Sequence, residues 1–316
     1  QNKTFANAPR HDHFKISSLN VFIKPIENLS RTFVKHPFVP ASTKEFDSRA
    51  QEILNIQSTG LARRMISAHT EKLIIGLSGG LDSTLAFLVC LETLKSQAVE
   101  QQNLIAVTLP GPGTSEHTLQ SVHELTESVD VKVREIKIHT AVEQHLRDIE
   151  HSGNTDTVFE NAQARERTQV LFDLANQEAG IVVGTGDLSE LALGWCTFNA
   201  DQMSNYNVNV SVPKTMIIYL VEWYAKHKAS KNLALALKRV IDTPISPELI
   251  PPEQGEIQQK TEEVIGPYEL HDFFIYHFLR NGSSPTKIFH LANLAYKEKY
   301  SLIGTTETEV FSPENP

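Results

Sequence analysis

The chain has 316 residues, 40% of them hydrophobic and 21% charged, the balance of a globular protein with room for a large core and one or two domains. Its net charge of −9 at pH 7 argues against a main role in binding RNA or DNA, because neutralising phosphates takes clustered Lys and Arg. No stretch reaches the roughly 18 apolar residues of a membrane span, and two cysteines, Cys90 and Cys196, are too few for a metal cluster or a disulfide framework.

Residues 1 to 40 read as a linker or extension, with Pro9, Pro25, Pro37 and Pro40 spread through them. The polar N-terminus has no apolar signal core, and the methionines Met65, Met203 and Met216 leave no initiator. The chain is therefore expected to be a trimmed piece or one part of something longer, and its two cysteines suit a reducing, cytoplasmic setting. From 43 to 69 an amphipathic pattern (Phe46, Ala50, Ile53, Leu54, Leu61, Met65) predicts a helix. Strands are predicted at 73–77, 104–109, 131–138 and 181–184, separated by helices at 83–97, 116–128, 140–150 and 159–178. After Pro213 the pattern turns helical (213–226, 230–241, 268–280, 285–297), interrupted at 251–263 by an acid-rich stretch that reads as a surface loop or a lid. The main domain is placed at 41–300, with a tail at 301–316.

Short strands alternating with helices imply an α/β fold, a parallel sheet with helices on both faces and a helical C-terminal part. Ligands in such sheets bind beyond the carboxyl ends of the strands. The loops at 78–83, 110–113 and 184–190 all fall there and are expected to converge on one crevice. The first reads Ser78-Gly79-Gly80-Leu81-Asp82-Ser83-Thr84, a strand, glycine turn and helix start. That geometry offers free backbone N–H groups to an anion. Gly79 and Gly80 are expected to take positive φ, and Ser78, Ser83 and Thr84 to supply hydroxyls. A carboxylate beside a phosphate is repulsive unless a cation lies between them, so Asp82 reads as a magnesium ligand. The loop lacks the lysine of the P-loop pattern, so it does not cradle phosphates for terminal transfer.

The pattern S-G-G-x-D-S resembles the loop of the ATP pyrophosphatase (PP-loop) enzymes, which split ATP between its α- and β-phosphates and activate an oxygen as an adenylate. The block from 184 to 215 sharpens the likeness. Gly184-Thr185-Gly186-Asp187-Leu188-Ser189-Glu190-Leu191-Ala192-Leu193-Gly194-Trp195, Tyr206-Asn207-Val208-Asn209 and Val212-Pro213-Lys214-Thr215 closely resemble the NAD+ synthetases, above all the glutamine-dependent two-domain enzymes. His36-Pro37-Phe38-Val39-Pro40, Asn55-Ile56-Gln57 and Ser246-Pro247-Glu248-Leu249 also fit, so the likeness covers roughly residues 36 to 300.

The resemblance implies an adenine nucleotide alpha hydrolase-like, Rossmann-like sheet and an amidating ligase. Its substrates would be ATP, nicotinic acid adenine dinucleotide (NaAD) and ammonia, with Mg2+ as cofactor. Ser78, Gly79, Gly80, Asp82 and Ser83 would hold the pyrophosphate half of ATP, with Asp82 and Glu190 on magnesium. Thr185 would contact ATP near the adenylate, and Lys214 would stabilise charge on the phosphates. Asn161 and Arg165 would contact NaAD, and Asp201 would lie near the nicotinate ring and the incoming ammonia. The chain is expected to form a homo-oligomer and, from its charge and the lack of a long apolar stretch, to have no nucleic-acid or membrane partner. The ammonia would come from a glutaminase domain or subunit, or from free ammonium.

Read residue by residue, simpler roles stand beside these. Asp187 makes an ordinary helix cap, Lys214 an exposed first-turn lysine, and Glu166 with Arg167 a solvated, self-paired face. Trp195, Phe198 and Tyr206 could stack on substrate or belong to the core. The 13 histidines show no zinc-binding spacing. Departures from the family are the absence of room for a glutaminase domain and the final segment from Ile303 onward, which does not match. Rival readings are a tRNA-modifying PP-loop enzyme, which the missing paired cysteines oppose, and an inactive synthetase-like subunit.

Overall fold

Five parallel strands form the sheet: β1 (Leu73–Gly76), β2 (Leu104–Thr108), β3 (Val133–Glu135), β4 (Ile181–Gly184) and β5 (Tyr206–Asn207), in the order β3-β2-β1-β4-β5. Eleven α-helices accompany them among the described residues: α1 (Thr43–Ala68), α2 (Leu81–Ser96), α3 (Glu116–Glu127), α4 (His139–Asp148), α5 (Thr157–Glu178), α6 (Leu188–Leu193), α7 (Lys214–His227), α8 (Lys231–Asp242), α9 (Thr261–Ile265), α10 (Tyr268–Asn281) and α11 (Pro285–Tyr296). The computed structural model describes residues 32–243 and 261–296, with Leu19 and Lys299. The described part of residues 34–316 forms one compact unit. Most of the expected linker at 1–40, the segment 244–260 and the tail at 301–316 lie outside the described residues.

The strands read as continuous apolar runs because both faces of the sheet are covered. Leu73, Ile75, Leu104, Ala106, Ile181 and Val183 join one core with Leu54 and Leu61 of α1, Leu85 and Leu88 of α2, Ile217 and Leu220 of α7, and Leu237 of α8. Ile74, Ile105, Val107 and Val182 point the other way, into a smaller core with Val142 of α4 and Ala162 and Ala175 of α5. Each large side chain so buried contributes about 1.5–3 kcal/mol.

Two elements differ from the sequence expectation. β3 holds only three residues of the stretch 131–138, an edge strand that is mostly exposed. Past it, Ile136 N–H still reaches Thr108 O (2.9 Å) and Ile138 N–H reaches Pro110 O (3.1 Å), without regular strand geometry. β5 was not foreseen, because two residues carry no alternation.

The order of strands places the site. β2 and β3 step outward from β1 on one side, and β4 and β5 on the other. The step reverses between β1 and β4, and ligands in open parallel sheets bind at such switch points. The loops that follow β1 and β4 therefore lie side by side at that switch point. No helix among the described residues is long and apolar enough to cross a membrane.

Candidate active site

The loop after β1 is closed on itself by two hydroxyls. Ser78 Oγ and Ser83 Oγ lie 3.1 Å apart, Ser83 Oγ donates to Gly80 O (3.1 Å) and accepts from Ser78 N–H (3.3 Å), and Gly80 N–H donates to Ser78 Oγ (3.3 Å). Gly80 is the N-cap of α2 and brings no side chain, so the N–H groups of the first turn are left to an external acceptor. Only Gly79 takes a positive φ, +76°; Gly80 has an extended backbone at φ −87°, contrary to the expectation for both. Thr84 is fully buried and offers nothing to the crevice, a second correction, because its position on α2 turns it into the core.

A Cβ at Gly79 would lie 2.8 Å from Thr118 Cγ2 and 2.9 Å from the Thr118 carbonyl, whereas one at Gly80 would meet only Ser78 Oγ at 3.4 Å. Gly79→Ala is thus expected to lose more than the roughly 1–2 kcal/mol of a left-handed backbone alone, and Gly80→Ala to stay within about 1 kcal/mol. Urea titration of both variants checks this; equal losses would show that the turn is not built as described.

At the heart of the crevice, the ammonium of Lys214, the first residue of α7, is completely buried among three carboxylates. Its Nζ donates to Asp82 Oδ2 (2.6 Å) and Glu190 Oε1 (2.9 Å) and lies 2.9 Å from Asp187 Oδ2. The Tyr268 ring centroid stands 5.1 Å away, and its buried hydroxyl has no hydrogen-bond partner among the described residues. Asp187 and Glu190 also form a capping box on α6: Asp187 Oδ1 accepts from Glu190 N–H (2.7 Å), and Glu190 Oε2 accepts from Asp187 N–H (3.3 Å). Asp187 is therefore the cap the sequence predicted and a member of the charged cluster as well.

One ammonium among three ionised carboxylates leaves two negative charges uncompensated. Burial, and then the charge of Asp82, pushes the Asp187 carboxyl up to about 8 and the Glu190 carboxyl to about 7, against the pull of Lys214. Burial alone would lower the Lys214 ammonium, but the three carboxylates outweigh it and hold it well above its ordinary value. The donor set fits a divalent cation: carboxylate oxygens of Asp82, Asp187 and Glu190 lie within 4.8 Å of one another, and Asp82 Oδ1 is buried with no hydrogen-bond partner among the described residues.

Because both carboxyls titrate higher when folded than their ordinary values of 3.8 and 4.5, the folded state holds more protons in between. Stability conferred by the cluster then falls as pH rises from about 5 to about 8. Thermal melts across that range should show the decline in the ligand-free protein, and Asp187→Asn, which can still cap α6, should flatten it. An equally steep decline in the variant would contradict the assignment.

The two loops are tied together by Asn209, which is fully buried. Its Nδ2 donates to Asp82 O (2.9 Å) and Thr185 O (3.0 Å), while its Oδ1 accepts from Gln57 Nε2 of α1 (3.1 Å). Asn207 Nδ2 holds Gly186 O (2.8 Å). Thr185 is thus held through its backbone, beside the cluster.

Asn161, Arg165 and Asp201 meet on the segment 197–201. Asn161 Oδ1 accepts from Thr197 Oγ1 (2.9 Å), Arg165 Nε donates to Phe198 O (3.3 Å), and Asp201 Oδ1 accepts from Thr197 N–H (2.8 Å). Arg167 is not on a solvated face. It is half-buried, donates to Leu109 O (3.1 Å) and Thr114 Oγ1 (3.3 Å), and so fastens the loop after β2. Tyr206 packs against the core and Phe198 is 73% exposed.

The sequence model of the family NAD synthase matches residues 53–315. The chain belongs to the NAD synthase family. The match runs past Ile303, so the final segment is less foreign to the family than its motifs indicated. A glutamine-dependent NAD(+) synthetase of Mycobacterium leprae is 40% identical over 283 residues, 87% of this chain and 42% of the relative. One from Mycobacterium tuberculosis is 41% identical over 277 residues, 85% of this chain and 41% of the relative. The chain thus spans about two fifths of the length of these curated relatives. A solved NMN synthetase from Francisella tularensis shares the fold at TM-score 0.60 and 24% identity, covering 83% of this chain and 99% of its own.

Of the residues singled out in the sequence, Ser78, Gly79, Gly80, Asp82 and Ser83 share the turn after β1, Asp82, Glu190 and Lys214 meet in one charged cluster to which Asn209 ties Thr185, and Asn161, Arg165 and Asp201 gather on the segment 197–201. Asn209 and Tyr268 were not foreseen. Asn209 lay within a motif of the family, but a buried amide gives no local signal.

Proposed function

We propose that the chain is the synthetase part of a glutamine-dependent NAD+ synthetase, an ATP-dependent ligase that amidates NaAD. The observation that carries the reading is the buried Lys214 among Asp82, Asp187 and Glu190, set at the switch point beside the 78–83 loop. The N–H groups of the first turn of α2 bind the β- and γ-phosphates of ATP, with the Ser78 and Ser83 hydroxyls of the loop beside them. The nicotinate carboxylate of NaAD attacks the α-phosphorus, the bond to the β-phosphate oxygen breaks, and pyrophosphate leaves. Ammonia then attacks the adenylated carbonyl carbon, loses a proton, and expels AMP to leave NAD+.

Asp82 and Glu190, with Asp187 as a third donor, would hold magnesium, which when bound neutralises charge on the phosphate oxygens. Lys214 bears on the same oxygens as negative charge moves onto the leaving pyrophosphate. Thr185 lies against the adenylate, Asn161 and Arg165 orient the dinucleotide, and Asp201 faces the nicotinate end where ammonia enters. No side chain needs to act as a covalent nucleophile, so positioning and electrostatics supply the catalysis. Glutamine hydrolysed outside this stretch of sequence supplies the ammonia, which free ammonium can replace.

The test is an assay of the purified protein with NaAD, ATP, Mg2+ and ammonium, following NAD+, AMP and pyrophosphate. Equal amounts of the three are expected. A folded protein that makes no NAD+ at high ammonium would overturn the reading.

A further inference from the structure

α7 begins without a cap of its own: its N-cap is Pro213, which makes no side-chain hydrogen bond. The N–H groups of its first two residues are instead satisfied from other elements. Thr215 N–H donates to Asp272 Oδ2 of α10 at 2.8 Å, and the Thr215 hydroxyl donates to the same oxygen at 2.6 Å. Lys214 N–H donates to Ser189 Oγ of α6 at 2.9 Å, and Ser189 in turn donates to Asp272 Oδ1. Asp272 is 1% exposed and Ser189 completely buried. Four residues earlier on α10, Tyr268 lays its ring against the Lys214 ammonium.

We propose that Asp272 is a positioning residue for Lys214, acting through Ser189 and Thr215 and touching no reacting atom. A carboxylate at a helix N-terminus accepts from otherwise orphaned donors and is favoured by the helix dipole. Here it also joins two helices that carry opposite halves of the cluster. Ser189 sits between Asp187 and Glu190 on α6, and Thr215 follows Lys214 on α7. One side chain thus sets the distance between the ammonium and two of its carboxylates. Three donors converge on two carboxylate oxygens, so an amide cannot replace the acid: one of its ends would turn a donor toward another donor.

The inference rests on the proposed catalytic role of Lys214. It is tested by steady-state kinetics at saturating ammonium on the full chain carrying Asp272→Asn, Ser189→Ala or Thr215→Ala, with thermal melts alongside. Asp272→Asn should lower kcat about 10- to 100-fold, as expected for a displaced catalytic group, with KM for ATP and NaAD within twofold of the parent. Ser189→Ala and Thr215→Ala should lower kcat by less, again with KM unchanged. A folded Asp272→Asn protein with kcat within twofold of the parent, or one whose loss appears in KM, would overturn the proposal. If Asp272→Asn does not fold, unchanged kcat in both hydroxyl variants overturns it. An active Lys214→Met protein would instead refute the role of the lysine itself, which separates the two failures.

Discussion

Replacing Lys214 with methionine is expected to lower the rate of NAD+ formation by about 1,000-fold, the loss typical of removing one preorganised charge from a water-poor site. The side chains match closely in length and volume, so the change removes the ammonium with little change in packing. Among the described residues it removes the one cation that contacts Asp82, Asp187 and Glu190 together, two of which are already pushed toward neutrality. Deleting one partner of a buried ion pair costs roughly 3–5 kcal/mol, and this cluster should feel less of it because its carboxyls can take up protons. The variant should therefore melt below the parent at pH 8 and approach it at pH 6. Rates at saturating ammonium and melts at both pH values are the measurements. Activity within tenfold of the parent would remove Lys214 from the mechanism.

Asp82→Asn should abolish ATP-dependent pyrophosphate release, again by about 1,000-fold, while leaving the fold as stable as the parent or more so near neutral pH. The two outcomes have one cause. Asp82 donates a carboxylate oxygen to the site, and its charge also raises both Asp187 and Glu190. Replacing it with a neutral amide takes away a carboxylate proposed to hold magnesium and relieves repulsion among the remaining acids. A site that holds like charges together trades stability for function, so loss of activity with a gain in melting temperature is its signature. Pyrophosphate release and thermal melts on the same preparation read both effects. Normal release would sink the metal assignment, and a lower melting temperature would sink the picture of unrelieved repulsion.

The contrast between Asp82 and Asp187 shows how far the sequence could be read. Asp82 interrupts a glycine loop where a carboxylate is out of place, so its neighbours alone mark it as unusual. Asp187 precedes a helix, where an aspartate is the commonest of caps. Its cap is real, and its second oxygen serves the cluster. Lys214 likewise follows a proline at a helix start, an ordinary exposed position until α6, α7 and the 78–83 loop enclose it. Arg167 resembled a surface charge because its partners, Leu109 and Thr114, lie 58 and 53 residues away in sequence.

The sequence by itself determined the strand–turn–helix at 78–83, the alternation of strands and helices, and the kinship with the NAD synthase family. Each of these is written in contiguous residues, through backbone freedom at Gly79, apolar periodicity and long unbroken motifs. Only the tertiary structure decided that Lys214 reaches Asp82 across 132 residues, that Asn209 ties Asp82 to Thr185, and that Asp272 stands behind Lys214 from 57 residues beyond Thr215. Burial and the meeting of charges are properties of packing. They arise when β1 and β4 lie side by side, and no window of local sequence contains both.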